Sequence, residues 1–497
     1  MALSANPPSF PNPAGPQGQP QAVPAGAHPR LTLLWTAAAV VLFVAMLALG
    51  AAMRAVQGSV APAIADRFYA LMTLHGLGMA GAMFVGAMAV ASYFMGRYIE
   101  TSARASAIAL GGTLLGVVIL AFSTLVGGFG AGWYFLHPLP FSALGGWPLW
   151  TAYLFMAGMA VLGASWLLWT ISILRGVAAR YPLSRALGWH YITGKKGEEV
   201  PPLVLISTVA LIAVFAALVA AVVIVVLFLT EGAQGKPNDP LMMKNLIFFF
   251  GHTLVNITMY FGVAVVYELM PEYFGRPWPA NRVVAISWNT VLALVLLAYL
   301  HHLYMDFAQP PILQAIGQIA SYTSALPAAV VSIYGGLMLV ARAKARWTLT
   351  SSFLFLGLLG WCIGGIAAVT DSTIMANFRF HNTLWVPGHF HAYMLLGVCM
   401  MMLGAAYRVV ADNARVAEAR GVMISALYVL GGYGIVLMFY AGGADGIPRR
   451  FALYPAELGV GAFYAQLSLV FVVFLVLGVA GYLWEAGRHW FKAYARA

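Results

Sequence analysis

Apolar runs long enough to cross a bilayer recur along nearly the whole chain, and no other feature narrows its folding so far. About 20 consecutive apolar residues of helix span a hydrocarbon core. Runs of that size lie near 32–54, 70–97, 105–128, 148–174, 202–230, 242–270, 282–306, 314–341, 348–370, 386–410, 420–442 and 463–486. They predict an all-α polytopic membrane protein with about twelve transmembrane helices. Composition agrees: 62% of the 497 residues are hydrophobic and 8% charged, where a soluble chain carries about a quarter charged. The net charge of +11 is then assigned to basic loops beside the lipid bilayer, and no nucleic-acid partner is expected.

Residues 1–29 are rich in Pro, Ala, Gly and Gln and hold no lysine, arginine or acid. Such a segment buries too little apolar surface to offset its ordering entropy, so a disordered tail is expected there. It lacks the basic start and short apolar core of a signal peptide. Residues 30–497 read as one transmembrane catalytic domain, without repeats or a soluble insert. With the N-terminus inside, 19 of the 26 lysines and arginines fall on the inner side and 7 on the outer, so both termini are expected in the cytoplasm. Cys362 and Cys399 both sit in apolar runs and form no CxxC pattern, which leaves no disulfide framework or thiolate metal site.

This topology gives the histidines one depth. His75 opens helix 2, His252 lies about ten residues into helix 6, His301 and His302 close helix 7, and His389 and His391 open helix 10. At 1.5 Å per residue all six fall in the outer half of the membrane. A histidine inside a span is costly and faces a partner in the bundle. One alone is often a packing residue. Four helices delivering histidine to one layer point to a shared metal or haem site. His389 and His391, two apart, project about 200° from one another and so serve different partners. His75 with His391 suits two axial ligands of one haem iron; His389 suits a second haem with a free face; His252, His301 and His302 suit a non-haem metal. Spacing alone permits other pairings.

At these residues the chain resembles the catalytic subunit I of the haem–copper oxidase superfamily. The resemblance spans residues 32–486 and is carried by His75, Gly251-His252, His301-His302 and His381-Asn-Thr-Leu-Trp-Val-Pro-Gly-His389-Phe-His391. The last stretch looks most like the B-type branch. The resemblance implies the twelve-helix subunit I arrangement in a bacterial inner membrane, and the ligand roles just given. It also implies a low-spin haem b, a high-spin haem of b type, and copper at the non-haem site with iron as second choice. Arg449, Arg450 and His381 are then expected at haem propionates. The acid found in the family four residues before that histidine is here Asn377. A small redox subunit of cupredoxin or cytochrome c type on the outer face, fed by cytochrome c or a similar donor, is the implied partner.

One departure bears on substrate. Oxygen-reducing members of the A and B branches carry a tyrosine four residues after the first non-haem ligand, cross-linked to it; here that residue is Asn256. The C-type branch places its tyrosine six residues before the histidine pair; here that residue is Val295. Tyr299 and Tyr260 are near in sequence but on other faces or at other depths. Splitting O2 in one step takes four electrons, one drawn from that tyrosine. Joining two NO molecules into N2O and water takes two electrons and two protons. The expected activity is therefore nitric oxide reduction, as in reductases derived from oxidases, with Asn256 beside the metal ligands. An oxygen-reducing terminal oxidase is the second reading. Cytochrome-c-dependent NO reductases hold a glutamate at the Asn256 position. Tyr267, Glu268, Ser332 and Tyr334 fall where the B-type branch runs protons between helices 6 and 8, although hydroxyls in membrane helices also simply bond to backbone. A secondary transporter or a cofactor-free structural protein would need no such histidine layer and would show no haem spectrum.

Overall fold

The structure is a computed structural model and describes residues 26–135, 138–142, 145–278, 280–341, 343, 346–411 and 418–497. Residues 1–25 of the expected tail lie outside the described residues, as do Arg342, Lys344 and Arg415 of the basic count. Residues 26–28 are not free. The Gly26 N–H donates to Gly96 O at 3.0 Å, His28 Nε2 meets Thr101 O at 2.8 Å, and Thr101 Oγ1 donates to Gly26 O at 2.7 Å.

Among the described residues twelve helices are long and apolar enough to cross a membrane: α1 Pro29–Gln57, α2 Pro62–Met95, α3 Ala103–Val126, α4 Leu149–Arg180, α5 Pro202–Gln234, α6 Pro240–Phe274, α7 Arg282–Leu303, α8 Ile312–Val340, α9 Leu349–Ser372, α10 Trp385–Ala411, α11 Ala419–Ala444 and α12 Ala456–Arg496. Each matches an expected span. Their ends follow local chemistry. Asp239 accepts from Met242 N ahead of α6, and Asn281 accepts from Val284 N ahead of α7. Thr348 and Ser351 form a reciprocal capping box on α9. These side chains supply acceptors for amides that have no intrahelical partner. Pro sits in the first turn of α1, α5 and α6, where its missing N–H costs nothing.

Helix α10 is the axis of the bundle: 94% of its apolar window is buried, against 28–67% for the others. It packs on α9 through small residues. A Cβ on Gly360 would lie 2.3 Å from Leu396 O, so only glycine lets the two backbones come this close. A continuous α-helix was expected over 386–410. Instead α10 is α-helical over Trp385–His391, π-helical over Ala392–Cys399 and α-helical again over Met400–Ala411. π-turns of this kind concentrate at functional sites, and this one begins at the residue after His391.

At one end of the bundle charge from the end of α2, from α6 and from α10 is drawn together. Arg97 reaches Glu268 at 2.6 Å and Glu272 at 3.1 Å, Arg408 reaches Glu272 at 3.3 Å, and the Tyr98 hydroxyl donates to Glu268 at 3.0 Å. The carboxylates are buried, so the pairing is what makes their burial tolerable.

Candidate functional site

Helices α2 and α10 bring His75 and His391 face to face. Their ring centres are 6.1 Å apart and their planes 19° from parallel. Each Nδ1 donates to a backbone carbonyl at 2.7 Å, His75 to Met46 O and His391 to Pro387 O. Those bonds fix the tautomer and leave both Nε2 lone pairs free for a metal, the usual outer support of a ligating imidazole. Two imidazoles on opposite sides of one metal, with bonds of about 2 Å, have ring centres about 6 Å apart. The pair therefore fits a bis-histidine iron. Gly50 lines the same place, since a Cβ there would lie 2.7 Å from His75 Cε1.

A second cluster joins α6 and α7. His252, His301 and His302 each offer a ring nitrogen, and these atoms lie within 4.8 Å of one another. His252 Nδ1 is 3.2 Å from His302 Nε2. His301 Nδ1 is held by Ser321 Oγ on α8 at 3.0 Å, which turns its other nitrogen to the cluster. His389 lies within Coulombic range of all three. Three imidazoles leave coordination positions open, the arrangement a substrate-binding metal needs.

Asn256 follows His252 by one helical turn. Its Nδ2 donates to His252 O at 2.9 Å and lies 3.1 Å from His252 Nε2. The ring nitrogen that faces away from the cluster thus meets an amide. Val295 is buried apolar packing. The Tyr299 hydroxyl is taken by Asn245 Oδ1 at 3.1 Å, and the Tyr260 ring packs on Trp288. Among the described residues the side chain that His252 Nε2 meets is Asn256.

Beside these clusters Arg449 and Arg450 come together with His381. Arg449 donates to Asn382 Oδ1 at 2.9 Å and Tyr134 OH at 3.2 Å, and Arg450 lies over the Tyr134 ring at 4.6 Å. Burial pulls the Arg449 guanidinium down to about 10 and lowers Arg450. Burial, then Arg449 and Lys244, hold His381 down at about 4. The Arg449 Nε is buried without a hydrogen-bond partner. A buried cation with a spare donor is a place for a carboxylate, so these residues fit haem propionates.

Two site residues escaped the sequence reading. Asp371 lies 3.9 Å from His389 Nε2, and Tyr393 packs its ring 5.0 Å from the His389 ring. An acid closing an apolar run was the available signal for Asp371; Tyr393, four residues after His389, had the helical spacing. Asn377 donates to Asp371 O at 2.8 Å. The four proton-path residues do not line up. Tyr267 OH meets Ser332 Oγ at 3.1 Å. Glu268 turns into the Arg97 cluster instead, and Tyr334 is 66% exposed on α8.

Residues 30–483 match the family model for cytochrome c and quinol oxidase polypeptide I. The chain belongs to that family. It is 23% identical over 298 residues to cytochrome c oxidase subunit 1 of Thermus thermophilus, covering 56% of this chain and 53% of that one. Against cytochrome c oxidase subunit 1 of Synechocystis it is 25% identical over 401 residues, covering 79% and 71%. A quinol oxidase subunit 1 of Sulfolobus acidocaldarius is 23% identical over 340 residues, covering 66% and 62%. The chain thus spans about half the length of the first relative and up to about seven tenths of the others. A cryo-EM structure of a heme-copper terminal oxidase dimer superposes with a TM-score of 0.73 at 19% identity, over 93% of this chain and 84% of that one. The fold is that of haem–copper oxidase subunit I, and the chain is a multi-pass membrane protein.

Proposed function

We propose that this haem–copper oxidase homologue is the catalytic subunit of a membrane nitric oxide reductase, converting two NO, two electrons and two protons to N2O and water. The observation that carries the reading is Asn256 at 3.1 Å from His252 Nε2, where the oxygen-reducing branches have a cross-linked tyrosine. An amide has no oxidisable hydroxyl to supply a fourth electron. The two-electron reaction does not need one.

In this reading His75 and His391 hold a low-spin haem b, His389 holds a high-spin haem, and His252, His301 and His302 hold copper, with iron as second choice. Those groups supply electron storage and substrate binding when present. The protein's own contribution is orientation and charge. Met46 O and Pro387 O aim the His75 and His391 imidazoles that would hold the low-spin haem, and Ser321 aims His301. Asn256 braces His252 from behind. Arg449 and Arg450 neutralise propionates, and the neutral His381 beside them can only hydrogen-bond. Tyr267 and Ser332 pass a proton toward the site, while Glu268 anchors α6 to Arg97. An apolar cavity of about 270 Å³ enclosed by α1 to α6, lined by Met46, Leu74, Gly78, Trp166, Phe250 and Leu254, has room for a neutral diatomic gas. Both termini lie in the cytoplasm, and a cupredoxin- or cytochrome-type subunit delivers electrons from the other side.

The names of the relatives favour a second reading, oxygen reduction by a terminal oxidase. Parallel turnover of one preparation with NO and with O2, fed by the same reduced donor, separates them. N2O formation with oxygen uptake absent or much slower is expected. Rapid reduction of O2 to water with negligible N2O overturns the proposal.

A further inference from the structure

Two of the three histidines in the metal cluster sit on the least regular piece of their helix. Over Tyr299–Leu303 helix α7 tightens into a 3₁₀ turn, whose hydrogen bonds are poorer than those of an α-helix. The third ligand, His252, is in the middle of α6. The ligand geometry therefore depends on what ties this turn to α6.

Among the described residues two polar ties outside the ligands themselves join the turn to α6, and they straddle the histidine pair. Before it, the Tyr299 hydroxyl donates to Asn245 Oδ1 at 3.1 Å. Asn245 is itself oriented by donating through Nδ2 to Leu241 O at 2.9 Å, which leaves Oδ1 to accept. After it, Asp306 meets Lys244 Nζ at 2.6 Å, and both side chains are mostly buried, 20% and 28% exposed. Lys244 and Asn245 are adjacent residues of α6, two turns or about 11 Å before His252. Tyr299 also packs on Phe249 of the same helix. The pair is thus gripped on both sides by one short segment of the helix that carries the third ligand.

We infer that Lys244–Asp306 and Asn245–Tyr299 form a two-point clamp on the His301–His302 turn, and that this clamp sets how tightly the three-histidine site keeps its metal. The inference rests on the metal reading of that site but not on whether the substrate is NO or O2. Lys244, Asn245, Tyr299 and Asp306 touch no metal; they are positioning residues, and removing one allows the turn to open away from His252.

The test is copper loss from the intact, copper-loaded, reduced enzyme into an excess of a copper(I) chelator, with both haem spectra recorded alongside. Lys244→Ala and Asp306→Ala should release copper about tenfold faster, the scale of effect seen when outer support of metal ligands is lost. The exchanged pair Lys244→Asp with Asp306→Lys should return release to the wild-type rate, which a merely destabilised fold would not do. Tyr299→Phe keeps the ring on Phe249 and loses only the hydroxyl; it should speed release less, and it carries the test if a charge variant fails to assemble. Equal release from wild type and the single variants, or an exchanged pair as leaky as either single, overturns the clamp. A wild-type enzyme that holds no copper or iron at all would instead overturn the three-histidine metal site itself.

Discussion

Gly50 offers the sharpest test of the His75–His391 pairing, because one methyl group perturbs the pair with both histidines kept. Gly50 follows Met46 by four residues on α1, and Met46 O is the carbonyl that His75 Nδ1 engages at 2.7 Å. In Gly50→Ala the new Cβ would lie 2.7 Å from His75 Cε1 and 3.2 Å from Nδ1, where ordinary contact begins at 3.4 Å. The ring must retreat by the difference, about 0.7 Å, and cannot do so while keeping its short bond to Met46 O. Overpacking of this kind costs about 1–3 kcal/mol. Charged to haem binding, that is about a 5- to 150-fold loss of retention. The assay is the amplitude of the low-spin haem band after extended detergent washing, with Gly111→Ala as control because a Cβ at Gly111 meets nothing within 4 Å. Gly50→Ala should lose the low-spin band while the control keeps it. Equal retention in both would refute the idea that His75 Nε2 is an aimed axial ligand.

Two further outcomes follow from the same structure. His252→Ala should abolish turnover and non-haem metal together while both haems remain; unchanged metal stoichiometry would contradict the three-histidine site. Arg97→Ala leaves Glu268 and Glu272 buried without the cation that bridges them, so thermal unfolding of the complex should reveal a loss of about 3–5 kcal/mol, with Arg97→Lys intermediate.

Helix count and histidine depth were legible in the sequence because both depend on rules that act along one segment. Twenty apolar residues make a span wherever they occur, and the rise per residue puts His75, His252, His301, His302, His389 and His391 at a common level. Lateral matters were not legible. That Asn256 contacts His252 Nε2 follows from the turn between them, but that neither Tyr299 nor Tyr260 competes for the place depends on Asn245 and Trp288. Glu268 read as a proton carrier because it adjoins Tyr267. Neighbours in sequence point about 100° apart on a helix, and the arginine that claims Glu268 is 171 residues away. Lys244 and Asp306 gave no signal at all: a lysine at a helix start and an aspartate in a turn are ordinary until the fold joins them.

The π-helical stretch of α10 works as a phase adjuster. Over Ala392–Cys399 the bonding shifts by one residue, and so the azimuth of the seven-residue piece carrying His389 and His391 is decoupled from that of Met400–Ala411. The lower part can mesh with α9 where Met401 meets Gly357 and Gly404 meets Thr350, for packing alone, while the upper part aims its imidazoles for chemistry alone. Taking one residue out of that stretch would turn one half against the other by about 100°. No choice of side chains elsewhere on α10 would bring both halves back into phase.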